Sequence, residues 1–296
     1  MNYNIWIDEQ GVTYSANKKV LIKSNPELTE YSIIEECAFI ERYAFYNSEK
    51  LLQITIPEHV TYINEFTFDG CVKLNKFIVS QENQYYSTID GVLFNKEKSL
   101  LLACPKAKSD TYTIPNEVTA IYASAFGGCH NLTGIIIPDS VTAIGERAFC
   151  QCTGLVSITI PDSVTTIGNE AFAFCRELTR IVIGNGVTSI KREAFLKCIE
   201  LISITIPSNV ISVGCSAFSG CIELVNVDIK TGLVAIGCEA FANCEKLKYI
   251  NIPDSILSIG SDAFANCPKL KKLTLSNNDV LISNNRCADC DNLLPF

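Results

Sequence analysis

A phenylalanine returns along this chain at one fixed interval, and that interval limits the fold more than any other feature. It stands at Phe126, Phe149, Phe172, Phe195, Phe218, Phe241 and Phe264, each 23 residues after the last, with Phe45 and Phe68 an earlier pair at the same spacing. Three residues after each comes a cysteine, at Cys71, Cys129, Cys152, Cys175, Cys198, Cys221, Cys244 and Cys267; only Phe45 is followed instead by Ser48. A further period lands on Cys287 and then Cys290, so the pattern runs into a partial tenth coil. A strict period of this length means one supersecondary unit per repeat, stacked so that equivalent residues form columns.

Within each unit the spacing LxxIxI (Leu178, Ile181, Ile183; Leu201, Ile204, Ile206) alternates as a short strand does, one face in and one out. Proline follows it at Pro57, Pro138, Pro161, Pro207 and Pro253, where a missing N–H ends a ladder. The second half, VxxIGxxAF, predicts a short helical or 3-10 turn with Val, Ile, Ala and Phe facing inward. Gly145, Gly168, Gly214, Gly237 and Gly260 follow the Ile, where a positive φ is expected. A unit of 23 residues buries too little apolar surface to offset the entropy of ordering it, so neighbouring coils must share ladders and cover one another.

The skeleton LxxIxIPxxVxxIGxxAFxxC, spread over roughly residues 33–296, resembles the BspA-like class of leucine-rich repeats. The resemblance implies a right-handed solenoid with short parallel strands on a concave face and the turns on the convex face. It implies surface-exposed proteins, several of them adhesins for host matrix or other cells, and carries no catalytic motif.

A second, rarer repeat interrupts the first. Gly11-Val12-Thr13-Tyr14, then Val20-Leu21-Ile22, then Tyr31-Ser32-Ile33 matches Gly91-Val92-Leu93-Phe94, Leu100-Leu101-Leu102 and Tyr112-Thr113-Ile114. Each copy reads as a β-hairpin around a polar turn. The domain organisation expected is an N-terminal hairpin cap over residues 1–33, protecting the open sheet end, and a solenoid over residues 34–296 of about ten coils. The second hairpin module is expected as an insertion at residues 81–115.

With 24 basic and 32 acidic residues the net charge is −8, which argues against a nucleic-acid partner, because such a grip needs clustered positive charge. No apolar stretch approaches the roughly 18 residues that span a bilayer, so no membrane insertion is expected. The first ten residues lack the basic cluster and apolar run of a secretory signal. The nine cysteines of the column, Cys290 included, are predicted to be small buried hydrophobes rather than a disulfide or metal ladder. Cys215 and Cys238 differ, standing where other coils place Arg42, Glu65, Glu146, Asn169, Arg192 and Ser261. They are expected as a pair of exposed thiols, reduced in a cytoplasmic setting, with a bridge between them as the second reading. The CxxC of Cys287 and Cys290 is a weak metal signal without a second pair. Two histidines, His59 and His130, are too far apart in the repeat to build a nucleophilic site. Stacked acidic residues before the Phe (Glu170, Glu193; Glu239, Asp262) are expected on the solvated convex face. No enzyme activity and no cofactor is expected.

What remains is surface. The outward residues flanking the first strand Ile form a double row whose middle is small and nearly neutral and whose C-terminal part is richer: Arg180, Asn226, Asp228, Tyr249, Asn251, Lys272 and Thr274. Aromatic and polar groups on a rigid face suit a protein partner. The function expected is a non-enzymatic, monomeric protein-binding solenoid, adhesin-like by resemblance, with an intracellular interaction scaffold as the alternative. The thiols point to the cytoplasm and the resemblance to the cell surface.

Overall fold

The computed structural model describes residues 4–270 and the strand Leu281–Ile282. It is a β-solenoid of 23-residue coils. The LxxIxI segments form a layer of short parallel strands in three hydrogen-bonded groups, with breaks at the second hairpin module and between Arg180–Ile183 and Ser203–Ile206. Within a group each is in register with the same segment one coil on, as in Ser157–Ile160 beside Arg180–Ile183. Their burial alternates, with Ile158 and Ile160 inside and Ser157 and Thr159 out. The phenylalanines stack in a continuous column from Phe126 to Phe264, centroids 4.9–5.7 Å apart and rings 2–13° from parallel. That spacing is close to the separation of hydrogen-bonded strands, so each ring packs on its own copy.

The second half of the coil departs from expectation, because no helix forms among the described residues. VxxI instead makes a two-residue strand, and these join into a second parallel sheet, for example Thr166–Ile167 with Ser189–Ile190. Beyond it the backbone N–H groups alternate in direction. Those of Glu170, Phe172 and Phe174 donate to Arg192, Ala194 and Leu196 of the next coil at 2.7–2.9 Å, whereas those of Ala171, Ala173 and Cys175 close turns within the coil. A helix would need every N–H directed along its own axis. Here the neighbouring coil takes every second one, and left-handed residues at Glu170 (φ 54°) and Phe174 (φ 62°) turn the chain between them.

The conserved-looking glycine is also explained differently. Gly145, Gly168, Gly214, Gly237 and Gly260 do not have positive φ; the left-handed positions lie two residues later, at Arg147, Glu170, Ser216, Glu239 and Asp262. What these glycines allow is close approach: a Cβ on Gly237 would lie 2.5 Å from the backbone N of Cys215 in the preceding coil. Glu41, Asn64, Tyr122 and Lys191, at the same register, show that other coils make room for a side chain.

The two hairpin modules are the same structure used twice, each with one strand more than the pattern suggested. Ile5–Ile7, Thr13–Ser15 and Val20–Lys23 pair antiparallel, as do Tyr86–Ile89, Val92–Asn95 and Leu100–Ala103; the third strand of each then runs parallel to the first coil that follows. Lys18 and Lys98 both take φ 60° in the polar turn. Tyr31 and Tyr112 cover the first ring of their Phe columns, at 6.2 and 5.9 Å. Two apolar cores result, one centred on Phe45 and Phe68 and one running from Val92 to Ala263. At the seam the Tyr86 hydroxyl receives the N–H of Ile63 (3.0 Å) and donates to the carbonyl of Thr61 (3.2 Å), closing the sheet edge of the first block.

If close approach is what selects glycine, Gly237→Ala and Gly237→Asn should lose stability alike, by about 1–3 kcal/mol for overpacking in chemical denaturation. Asn tolerates left-handed backbone, so rescue by Asn alone would restore the φ explanation.

Candidate functional site

The cysteine column does more than fill space. From Cys152 to Cys267 each thiol donates to the carbonyl of the Phe in the preceding coil at 3.1–3.3 Å, as Cys71 does to Phe45. A small apolar side chain with one weak donor meets both demands of the site. Cys129 lies 3.9–4.0 Å from its acceptors because Ala103 of the hairpin module, not a Phe, stands 26 residues before it. Burial pushes Cys71 and Cys221 up to about 12. Cys267, at the end of the described column, is only partly buried.

Cys215 and Cys238 occupy the same register one coil apart, and the Cys238 N–H meets Cys215 Sγ at 3.3 Å. They are less open than the sequence suggests: Cys238 is only 9% exposed. The reason is the backbone of the next coil, brought so near that a Cβ on Gly260 would lie 2.4 Å from the Cys238 N.

Among the described residues no catalytic grouping emerges from the other chemical residues. His130 Nδ1 lies 3.1 Å from Thr153 Oγ1. His59 sits 3.5–3.8 Å from Glu58 and Glu35, and these three exposed side chains are the one group among the described residues within common reach of a metal ion. They are solvent-facing neighbours on adjacent coils. Glu170 and Glu193 belong to a ladder with Arg147 and Arg192 at 3.1–3.7 Å. Cys287 and Cys290 lie outside the described residues.

The outward face of the long-strand sheet carries the candidate partner residues. Arg180 and Asn226 are exposed, and Tyr249 is 67% exposed. Asp228 holds Lys230 at 2.6 Å. Asn251 has another task. Its amide donates to the carbonyl of Ile229 (2.7 Å) and accepts the N–H of Ile229 (2.8 Å), continuing a ladder where the strand Tyr249–Ile250 has ended. Lys272 and Thr274 lie outside the described residues.

The apolar part of this face carried no weight in the sequence pattern. Ile136 and Val182, 55% and 41% exposed, stand in outward positions otherwise filled by Thr159 and Thr205. They border a trough of about 730 Å³ floored by Gly134, Ser157 and Thr159, which continues past Val182 into a second of about 350 Å³ beside Arg180, Ser203 and Thr205. An exposed isoleucine in an inward-outward alternation is the signal that could have marked it.

Comparisons with known proteins bear on the repeat fold. The family described as BspA type leucine rich repeat region matches residues 19–104, 103–225 and 188–296, and the first boundary coincides with the seam. A leucine-rich repeat protein from Eubacterium ventriosum is similar over 85% of this chain and 68% of its own, at 30% identity and a TM-score of 0.79. The pneumococcal vaccine antigen PcpA shares the fold at 20% identity and a TM-score of 0.51, over 79% of this chain and 63% of its own. A leucine rich cell surface protein from Faecalibacterium prausnitzii aligns over 91% and 88% at 21% identity, with a TM-score of 0.44. No protein of curated function matches the sequence.

With iodoacetamide at pH 8, Cys267, which is only partly buried, should be alkylated before the buried thiols of the column in the native protein. Cys175, Cys198 and Cys221 should stay unmodified until denaturant is added. Peptide mass mapping over time checks the order; labelling of Cys221 ahead of Cys267 would contradict the burial argument.

Proposed function

The chain belongs to the BspA-type leucine-rich-repeat family, and from that premise we propose that it is a non-enzymatic binding protein whose partner is another protein, held along the outward face of the long-strand sheet. The observation that carries this reading is the trough around Ile136 and Val182. Two exposed apolar side chains among short Ser and Thr hydroxyls, with Arg180 beside them, match the composition of a protein contact better than that of a plain solvated sheet. The site extends towards Asn226, Asp228 and Tyr249, where a ring 67% exposed can serve as an anchor. The stack holds the site in shape before the partner arrives, so little affinity is lost in ordering it.

Family resemblance gives this partner as a surface component of host or neighbouring cells, contacted by an adhesin-like protein. An intracellular scaffold is the second reading, favoured by the thiol column, since a sulfur that donates S–H to a carbonyl must remain reduced. Protease shaving of intact cells separates the two: digestion of the protein supports display at the surface, and full protection supports the scaffold.

The binding face itself is tested by pull-down. Ile136→Asp with Val182→Asp, and separately Asp228→Ala with Tyr249→Ala, should each lower partner recovery at least tenfold while leaving the melting temperature nearly unchanged, because all four side chains lie on the surface. Undiminished recovery by both double variants would place the contact elsewhere.

A further inference from the structure

The geometry points to a phosphoryl-binding site at the seam between the two blocks, independent of the protein-binding face. A cleft of about 260 Å³ opens there on the turn side. Three departures from the repeat meet in it. Lys106, from the segment that leaves the second hairpin module, is 3% exposed and lines the cleft. Its Nζ donates to the carbonyl of Ser124 at 3.3 Å, and among the described residues no carboxylate lies within 4.0 Å of it. An ammonium so deeply buried with one neutral acceptor has two donors left and no carboxylate in direct contact with it.

Arg147 is the second departure. Its left-handed turn position holds Tyr, Phe, Ser or an acidic residue in the other coils, so the single cation of that column faces this cleft. Its Nε is buried with no hydrogen-bond acceptor, although Glu170 lies 3.5 Å away. The third is Gly127-Gly128, which stands where every other coil has at least one side chain between Phe and Cys. A Cβ on Gly127 would fall 2.4 Å from Ser124 Oγ, and one on Gly128 would meet only His130 Nε2, at 3.9 Å. The missing side chains keep the cleft open.

The acidic groups of the wall sharpen the choice of ligand. Glu49 is exposed, and Asp69 accepts the Ser124 hydroxyl at 2.6 Å through Oδ1. Its other oxygen repels a bare anion but accepts a hydrogen bond from a protonated one. The monoanionic form of a phosphoryl group carries both: charged oxygens for Lys106 and Arg147, and a P–OH for Asp69, which would hold the bound group in that form although its second pKa is about 6. Sulfate has no such proton at neutral pH, and a carboxylate lacks it as well. The volume leaves room for a small phosphomonoester rather than phosphate alone.

Thermal unfolding of the full chain with inorganic phosphate at constant ionic strength tests the site. Phosphate at about ten times its Kd should raise the Tm by roughly 2–4 °C over sodium chloride, with a smaller shift from sulfate. Lys106→Met removes the buried charge while keeping its length, and Arg147→Gln removes the exposed-side cation; each should reduce the phosphate shift at least by half. No shift from phosphate up to 10 mM, an equal shift from sulfate, or a full shift in both variants would overturn the assignment.

Discussion

The structure depends on backbone hydrogen bonds that run along the solenoid axis at one coil's rise. Both parallel sheets consist of them, and in the turns every second N–H joins the same set. Once the stack is in register, each side chain sees its own equivalent above and below. Like must then tolerate like at about 4.8 Å. Rings stack, thiols reach a neighbouring carbonyl, and small hydroxyls sit in rows. Equal charges are placed poorly by such a rule, and where Glu170 and Glu193 do follow one another, Arg147 and Arg192 pair with them.

The same rule explains what could be read from the sequence and what could not. The coil length, the strands and the Phe and Cys columns were legible, because burial imposes a period that survives variation elsewhere. The turn was not. VxxIGxxAF places its apolar residues at spacings compatible with a helix, and only the competition for N–H groups between the coil and its neighbour decides against one. The glycine position was legible as special but not as to cause, since a residue type alone does not separate positive φ from close approach. Glu170 and Phe174 hold left-handed backbone although neither type favours it. Asn251 and Tyr86 complete ladders at strand edges, and their partners are backbone atoms that no side-chain pattern records.

The seam shows what a solenoid needs in order to be interrupted. The hairpin module recurs with the same turn at Lys18 and Lys98 and the same tyrosine over the Phe column, so the second block starts as the first does. The sheet edge left behind is closed by Tyr86 and by Asn83, fully buried, whose amide donates to the carbonyls of Pro57 and Val60. Residues that break the column rule, Lys106 and Gly127-Gly128 among them, gather at this junction because no neighbouring copy constrains them.

Recognition has to come from such departures. A surface of identical coils offers a partner the same contact at every rise, so it binds without a defined register. The face of this protein is repetitive where Ser157, Ser203, Thr159 and Thr205 line it, and becomes distinct at Ile136, Arg180, Val182, Asp228 and Tyr249. Two exposed apolar residues two coils apart, with a ring farther on, fix a direction and an offset along the axis. Hydroxyl rows between them contribute polar contacts that fit many partners. The regular coils therefore supply stiffness and spacing, and the few irregular side chains carry whatever selectivity the face has.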